Sequence, residues 1–102
     1  MGAKSVLTSK IESEIELLQR HVIMLKAIME HEPIGIIRLS ELLNCPQHKV
    51  RYSLRILEQE GLIKPSPEGA ITTEKLSTFL ESLRNTLEWM SNTVKELRES
   101  LD

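Results

Sequence analysis

A chain of 102 residues with a formal net charge of −2 is long enough for one domain with a modest core, and too short to carry a ligand-binding domain beside a nucleic-acid reader. Tyr52, Phe79 and Trp89 are its only aromatic residues, so Leu, Ile and Val must fill the core, and the expected fold is mainly α with a small β-hairpin. No apolar run is long enough to cross a bilayer, Lys4, Lys10 and Glu12 interrupt any leader-like stretch, and the lone Cys45 can form no internal disulfide; these features are those of a cytoplasmic protein.

Ser9 and Glu12 have the spacing of a capping box, which predicts a helix over residues 9–31. Ile11, Ile15, Leu18, Val22, Leu25 and Met29 recur along it in steps of four and three, and Pro33 stops it by disfavouring helical geometry in the residue before it. The β-branched run at residues 34–37 suits one brief strand, and residues 39–43 suit a short first helix. Asn44 and Pro46 turn the chain. Val50, Leu54 and Leu57 then line one face of a second helix, about residues 46–60, closed by Gly61 as a left-handed cap. Residues 62–64, 65–69 and 70–72 read as strand, turn and strand. From residue 73 to 101 the chain has no glycine or proline, and Leu76, Leu80, Leu83, Leu87, Met90, Val94, Leu97 and Leu101 alternate in steps of four and three. That pattern predicts a straight helix roughly 43 Å long at about 1.5 Å per residue, more than a monomer of this size can bury.

Gln47, His48, Lys49, Arg51, Tyr52 and Arg55 lie off the apolar stripe of the second helix and are the side-chain types that bind phosphates and base edges. Between residues 47 and 64, Lys49, Arg51, Arg55 and Lys64 stand against Glu58 and Glu60, a local charge of +2, which leaves −4 on the rest of the chain. A cationic face on an acidic body suits a specific reader of double-stranded DNA better than a protein that coats it. Arg51 and Arg55, four residues apart, can reach adjacent phosphates or a guanine edge, where a bidentate arginine discriminates by about 1–3 kcal/mol. Gln47 and His48 fall in the first turn, the part of a recognition helix that reaches deepest. Tyr52 is either a hydrogen-bond donor to the backbone or a ring that covers the helix.

The series Gln47, Val50, Leu54, Leu57, then Gly61, Leu62 and Ile63, resembles the winged-helix transcriptional regulators of bacteria and archaea over roughly residues 20–76. The long last helix is similar to that of small archaeal winged-helix proteins that dimerise through a coiled coil. The resemblance implies a winged helix-turn-helix with long terminal helices, a single domain over residues 1–102, a recognition helix in the major groove and a wing near the DNA backbone or minor groove. Here the wing tip carries Glu68 and no Lys or Arg, so a structural role is expected for it.

Other chemistry is weakly represented. Cys45 and His48 have a C-x-x-H spacing, but a closed zinc site needs four ligands and no second Cys/His pair stands nearby, so Cys45 is expected to fill a small apolar position and neither metal nor cofactor is expected. His21 and His31 read as partly exposed surface histidines. No nucleophile with a neighbouring base and no glycine-rich phosphate loop is visible, so an enzyme is not expected, and no pattern identifies a small-molecule effector. With Leu76 at heptad position d, Arg84 and Arg98 fall at e, where a parallel copy offers few acidic partners; Glu12 and Glu14 of the first helix complement them, which favours antiparallel pairing with the first helix alongside. The expected function is a homodimeric, sequence-specific DNA-binding transcriptional regulator. The alternative is a winged-helix protein–protein interaction module in a transcription-related or other assembly, which the acidic total and the wing tip without Lys or Arg favour.

Overall fold

A helix start needs its first N–H groups satisfied, and Ser5 does this: its backbone is extended and its Oγ accepts from the Leu7 N–H at 3.1 Å. The structure, a computed structural model that describes residues 5–102, therefore opens with α1 (Val6–His31) already formed before Ser9. The predicted capping box does not form, because Ser9 lies inside the first turn and the Glu12 carboxylate accepts instead from Thr8 Oγ1 at 3.0 Å. The buried residues of α1 are Met24, Leu25, Ala27 and Ile28. The four-three stripe is thus only partly a core face: Leu25 is buried, Leu18 and Val22 half-buried, and Ile11, Ile15 and Met29 exposed.

After α1, the Glu32 carboxylate accepts from the Thr72 N–H at 2.8 Å and from Thr72 Oγ1 at 3.0 Å, tying the end of the helix to the hairpin. The strand expected at 34–37 shrinks to one residue. Ile34 exchanges hydrogen bonds with Ala70, N–H to O at 3.2 and 2.8 Å, and α2 (Ile36–Leu43) starts directly after Gly35, earlier than expected. Ile36 and Ile37 enter the helix despite their β-branching because helix formation sets Leu39 into the core and Ile36 against it; packing overrides propensity.

Asn44 ends α2 in the left-handed region (φ 50°), and the Cys45 N–H returns to the Ser40 carbonyl at 3.0 Å. Pro46 then caps α3 (Gln47–Gln59), its carbonyl accepting from Lys49 and Val50. Val50, Ser53 and Leu57 are the buried residues of α3. Gly61 closes it at φ 75°, with N–H bonds from Gly61 to Glu58 and from Leu62 to Leu57 at 2.9 and 3.0 Å. The hairpin is two short antiparallel strands, β1 (Ile63–Lys64) and β2 (Ile71–Thr72), in the register Ile63 opposite Thr72 and Lys64 opposite Ile71.

One core joins these parts: Met24, Leu25 and Ile28 of α1, Leu39 of α2, Val50 and Leu57 of α3, and Ile34, Leu62, Ile63 and Ala70 around the hairpin. Each fully buried side chain of this size contributes about 1.5–3 kcal/mol by leaving water. The Thr73 hydroxyl accepts from the Lys75 N–H and donates to the Gly61 carbonyl, so residues 73–75 form a turn rather than helix. Helix α4 (Leu76–Ser100) follows, shorter than the expected 73–101, at roughly 37 Å. Leu76, Phe79 and Leu80 rest on the core, and no residue of α4 is fully buried. The architecture is a mainly helical winged helix-turn-helix with a two-stranded hairpin and long terminal helices.

Gly69 sits at φ 133°, and a Cβ there would lie 2.5 Å from the Ile34 carbonyl carbon and 2.8 Å from the Gly35 nitrogen, backbone atoms that cannot yield. Gly69→Ala is expected to cost about 2–4 kcal/mol in urea unfolding, from forbidden geometry and the lost Ile34 bridge. Gly35→Ala, with no atom within 4 Å of the added carbon, is expected to cost under about 1 kcal/mol.

Candidate nucleic-acid interface

The burial of Val50, Ser53 and Leu57 turns the opposite side of α3 outward, and Gln47, His48, Lys49, Arg51, Tyr52 and Arg55 are all exposed. Five of these six line one open depression of about 470 Å³: His48, Lys49, Arg51, Tyr52 and Arg55. The sixth lining residue, Arg20, comes from α1. None of the six is acidic, so the depression offers guanidinium, ammonium, imidazole and phenol groups and no carboxylate. Gln47 lies apart, in a second open depression of about 500 Å³ with Arg38, Arg51 and Glu68, between the N-terminus of α2 and the hairpin tip. Arg51 borders both. Glu68 thus places a negative charge beside the start of α3.

Arg20 is held where it is by its neighbour. His21 Nδ1 lies 2.9 Å from Ser53 Oγ, and the His21 ring lies 5.9 Å from the Tyr52 ring, so one residue of α1 is pinned to two adjacent residues of α3. Ser53 is fully buried, and this bond is what satisfies its hydroxyl. His21 is partly exposed, as expected from sequence, but it also bridges two helices, and burial, followed by the nearby Arg20 charge, lowers its pKa below the ordinary 6.5. The imidazole is neutral at pH 7. His31 is exposed.

Sequence pattern did not reveal Arg20, Arg38 or the His21–Ser53 bond. Arg20 and His21 lie more than twenty-five residues before α3, where periodicity within one helix carries no information about a neighbour. Cys45 packs against the core while His48 faces the depression, so the C-x-x-H pair points in two directions. Among the described residues, no group of three or more His, Cys, Asp or Glu side chains could hold a metal ion.

The remaining predicted contacts lie on α4 and at Leu101, which caps it. Leu76 and Leu80 rest on the domain's own core, Leu83 and Met90 are half-buried, and Leu87, Val94, Leu97 and Leu101 are exposed, Val94 at 54 % and Leu97 at 61 %. Ile11 and Ile15 of α1 face Trp89, Met90, Thr93, Val94 and Leu97 of α4 across an apolar groove of about 670 Å³, with Glu12 and Glu16 on its α1 side. Trp89, 65 % exposed and off the predicted stripe, widens this surface. Among the described residues, no helix is long and apolar enough to cross a membrane.

No protein-family model matches the chain, and no curated protein matches it by sequence. Among solved structures, the chain is similar in fold to the activation domain of the phage T4 transcription factor MotA, with a TM-score of 0.55 and 21 % identity, over 87 % of this chain and 99 % of that one.

Because the lowered pKa of His21 lets the unfolded chain take up the proton first, the stability it contributes is complete above about pH 6.5 and falls as pH drops from there towards the lowered value. His21→Asn keeps a donor and an acceptor near Ser53 without a titrating ring. Urea midpoints measured from pH 7.5 to 5 should fall less steeply for His21→Asn than for the native chain; parallel curves would show that His21 does not carry this dependence.

Proposed function

We propose that the chain is a homodimeric, sequence-specific DNA-binding transcriptional regulator of the winged-helix kind, one domain over residues 1–102, acting in the cytoplasm. The observation that carries this is the acid-free depression on the outer face of α3, where His48, Lys49, Arg51, Tyr52 and Arg55 stand together on a chain whose total charge is negative. A recognition helix of about residues 46–60 enters the major groove, Arg51 and Arg55 take phosphates or a guanine edge, and Gln47 and His48 approach base edges from the first turn. The fold likeness to a domain of a phage transcription factor agrees with a role in transcription.

Dimerisation follows from the unpartnered apolar surface of α4. Leu83, Leu87, Met90, Val94, Leu97 and Leu101 form its contact with a second copy, Leu76 and Leu80 being shared with the core, and Ile11, Ile15 and Trp89 extend it. Two recognition helices about 34 Å apart would then read a near-palindromic site.

A second reading, a protein-interaction module within a transcription assembly, is favoured by the net charge of −2 and by Glu68 beside Gln47 and Arg51. Salt separates the two. Duplex affinity should fall steeply with salt, and the Arg51→Ala, Arg55→Ala double variant should reduce the log–log slope by about 2. Selection from a random duplex pool should enrich a near-palindrome; a pool that returns nothing leaves the interaction module ahead.

Val94→Glu lies outside the core and should convert a sedimenting dimer to a monomer without loss of helical circular dichroism. A native chain that sediments as a monomer at high concentration removes the dimer from the proposal.

A further inference from the structure

We propose that the depression between α1 and α3 is a seat for a single phosphate group, and that Arg20 is the α1 residue that grips it. The inference deepens the DNA-binding proposal above and rests on it for the identity of the phosphate, a backbone group of the duplex. It adds a contact from outside the recognition helix.

Three observations converge on Arg20. First, it lines the depression with Lys49, Arg51 and Arg55, four cations around about 470 Å³ and no lining carboxylate to neutralise them. Like charges gathered without an acid repel one another, and a phosphate group, whose charged non-bridging oxygens accept several hydrogen bonds at once, relieves this at such a size. Second, Arg20 Nε is buried and has no hydrogen-bond partner. Nε is therefore not locked by a protein acceptor, and the side chain retains a buried donor without a partner. A side-on, bidentate grip turns Nε outward and satisfies it. Third, the His21–Ser53 bond and the His21–Tyr52 ring contact fix the α1 backbone against α3 one residue from Arg20, so its approach to the α3 cations is built into the core packing.

A phosphate here positions the domain without reporting sequence. Arg20 thus differs in kind from Gln47, and it would orient α3 by holding the strand beside the groove that α3 enters.

The test uses the full chain, labelled for observation of arginine Nε–Hε signals, with two phosphate sources. Titration with inorganic phosphate should shift the Arg20 Nε–Hε signal, which Arg20→Lys identifies by its loss. With duplex DNA, Arg20→Gln should reduce the salt slope by about 1 and weaken affinity about tenfold equally across sequences, whereas Lys26→Gln, the same charge change at an exposed position of α1, should leave the slope unaltered. Arg20→Lys, which keeps the charge and loses the planar fork, should fall between. Native duplex binding with an unchanged slope in Arg20→Gln overturns the seat while leaving the DNA proposal standing. An Arg20 shift with inorganic phosphate in a chain that binds no duplex keeps the seat and removes the DNA proposal. Absence of both responses, with capture of an acidic protein instead, removes both.

Discussion

The packing of the second half of α1 across α3 is the contact on which the rest of the molecule depends. Met24, Leu25 and Ile28 meet the layer of Val50 and Leu57, and the hairpin closes over it through Ile34, Leu62, Ile63 and Ala70. Within this apolar layer sits one polar pair, Ser53 with His21. A hydroxyl and an imidazole that satisfy each other accept only one register between the helices, whereas sliding leucines tolerate several. The pair therefore sets how α1 lies on α3. It also sets which α1 residue stands beside the α3 cations.

From that register the two candidate surfaces follow. On α3, burial of one face leaves the cationic face outward, on a chain whose remaining residues sum to a negative charge. On α1, the first half runs beyond the core, and α4 leaves the core after Leu80. Their apolar residues consequently face one another across a groove rather than filling it. The same two helices that frame the domain thus leave it with apolar area that one copy does not cover.

The hairpin is tied into the fold more firmly than its length suggests. Two strand residues on each side cannot hold a hairpin alone, but Ile34 adds a third rung, Glu32 clamps Thr72, and Thr73 binds the Gly61 carbonyl. These ties make it a brace between α1, α2 and α3.

Much of this was legible from residue order alone. The helix-turn-helix, the Gly61 cap, the hairpin, the end of α1 before Pro33 and the outward position of the six α3 side chains all depend on local spacing and backbone chemistry, and the structure has each of them. The errors lay where a local signal met a competitor: Ser5 displaced Ser9 as the cap, and packing drew Ile36 and Ile37 into helix. Sequence could not show that Arg20 joins Lys49, Arg51 and Arg55, that His21 satisfies Ser53, or that Ile11 and Ile15 face Trp89 and Val94. Periodicity specifies which face of a helix is apolar, and it does so one helix at a time. Which face meets which neighbour, and in what register, is decided only when the helices close around a shared core, because that choice depends on shape and hydrogen-bond satisfaction between residues far apart in the chain.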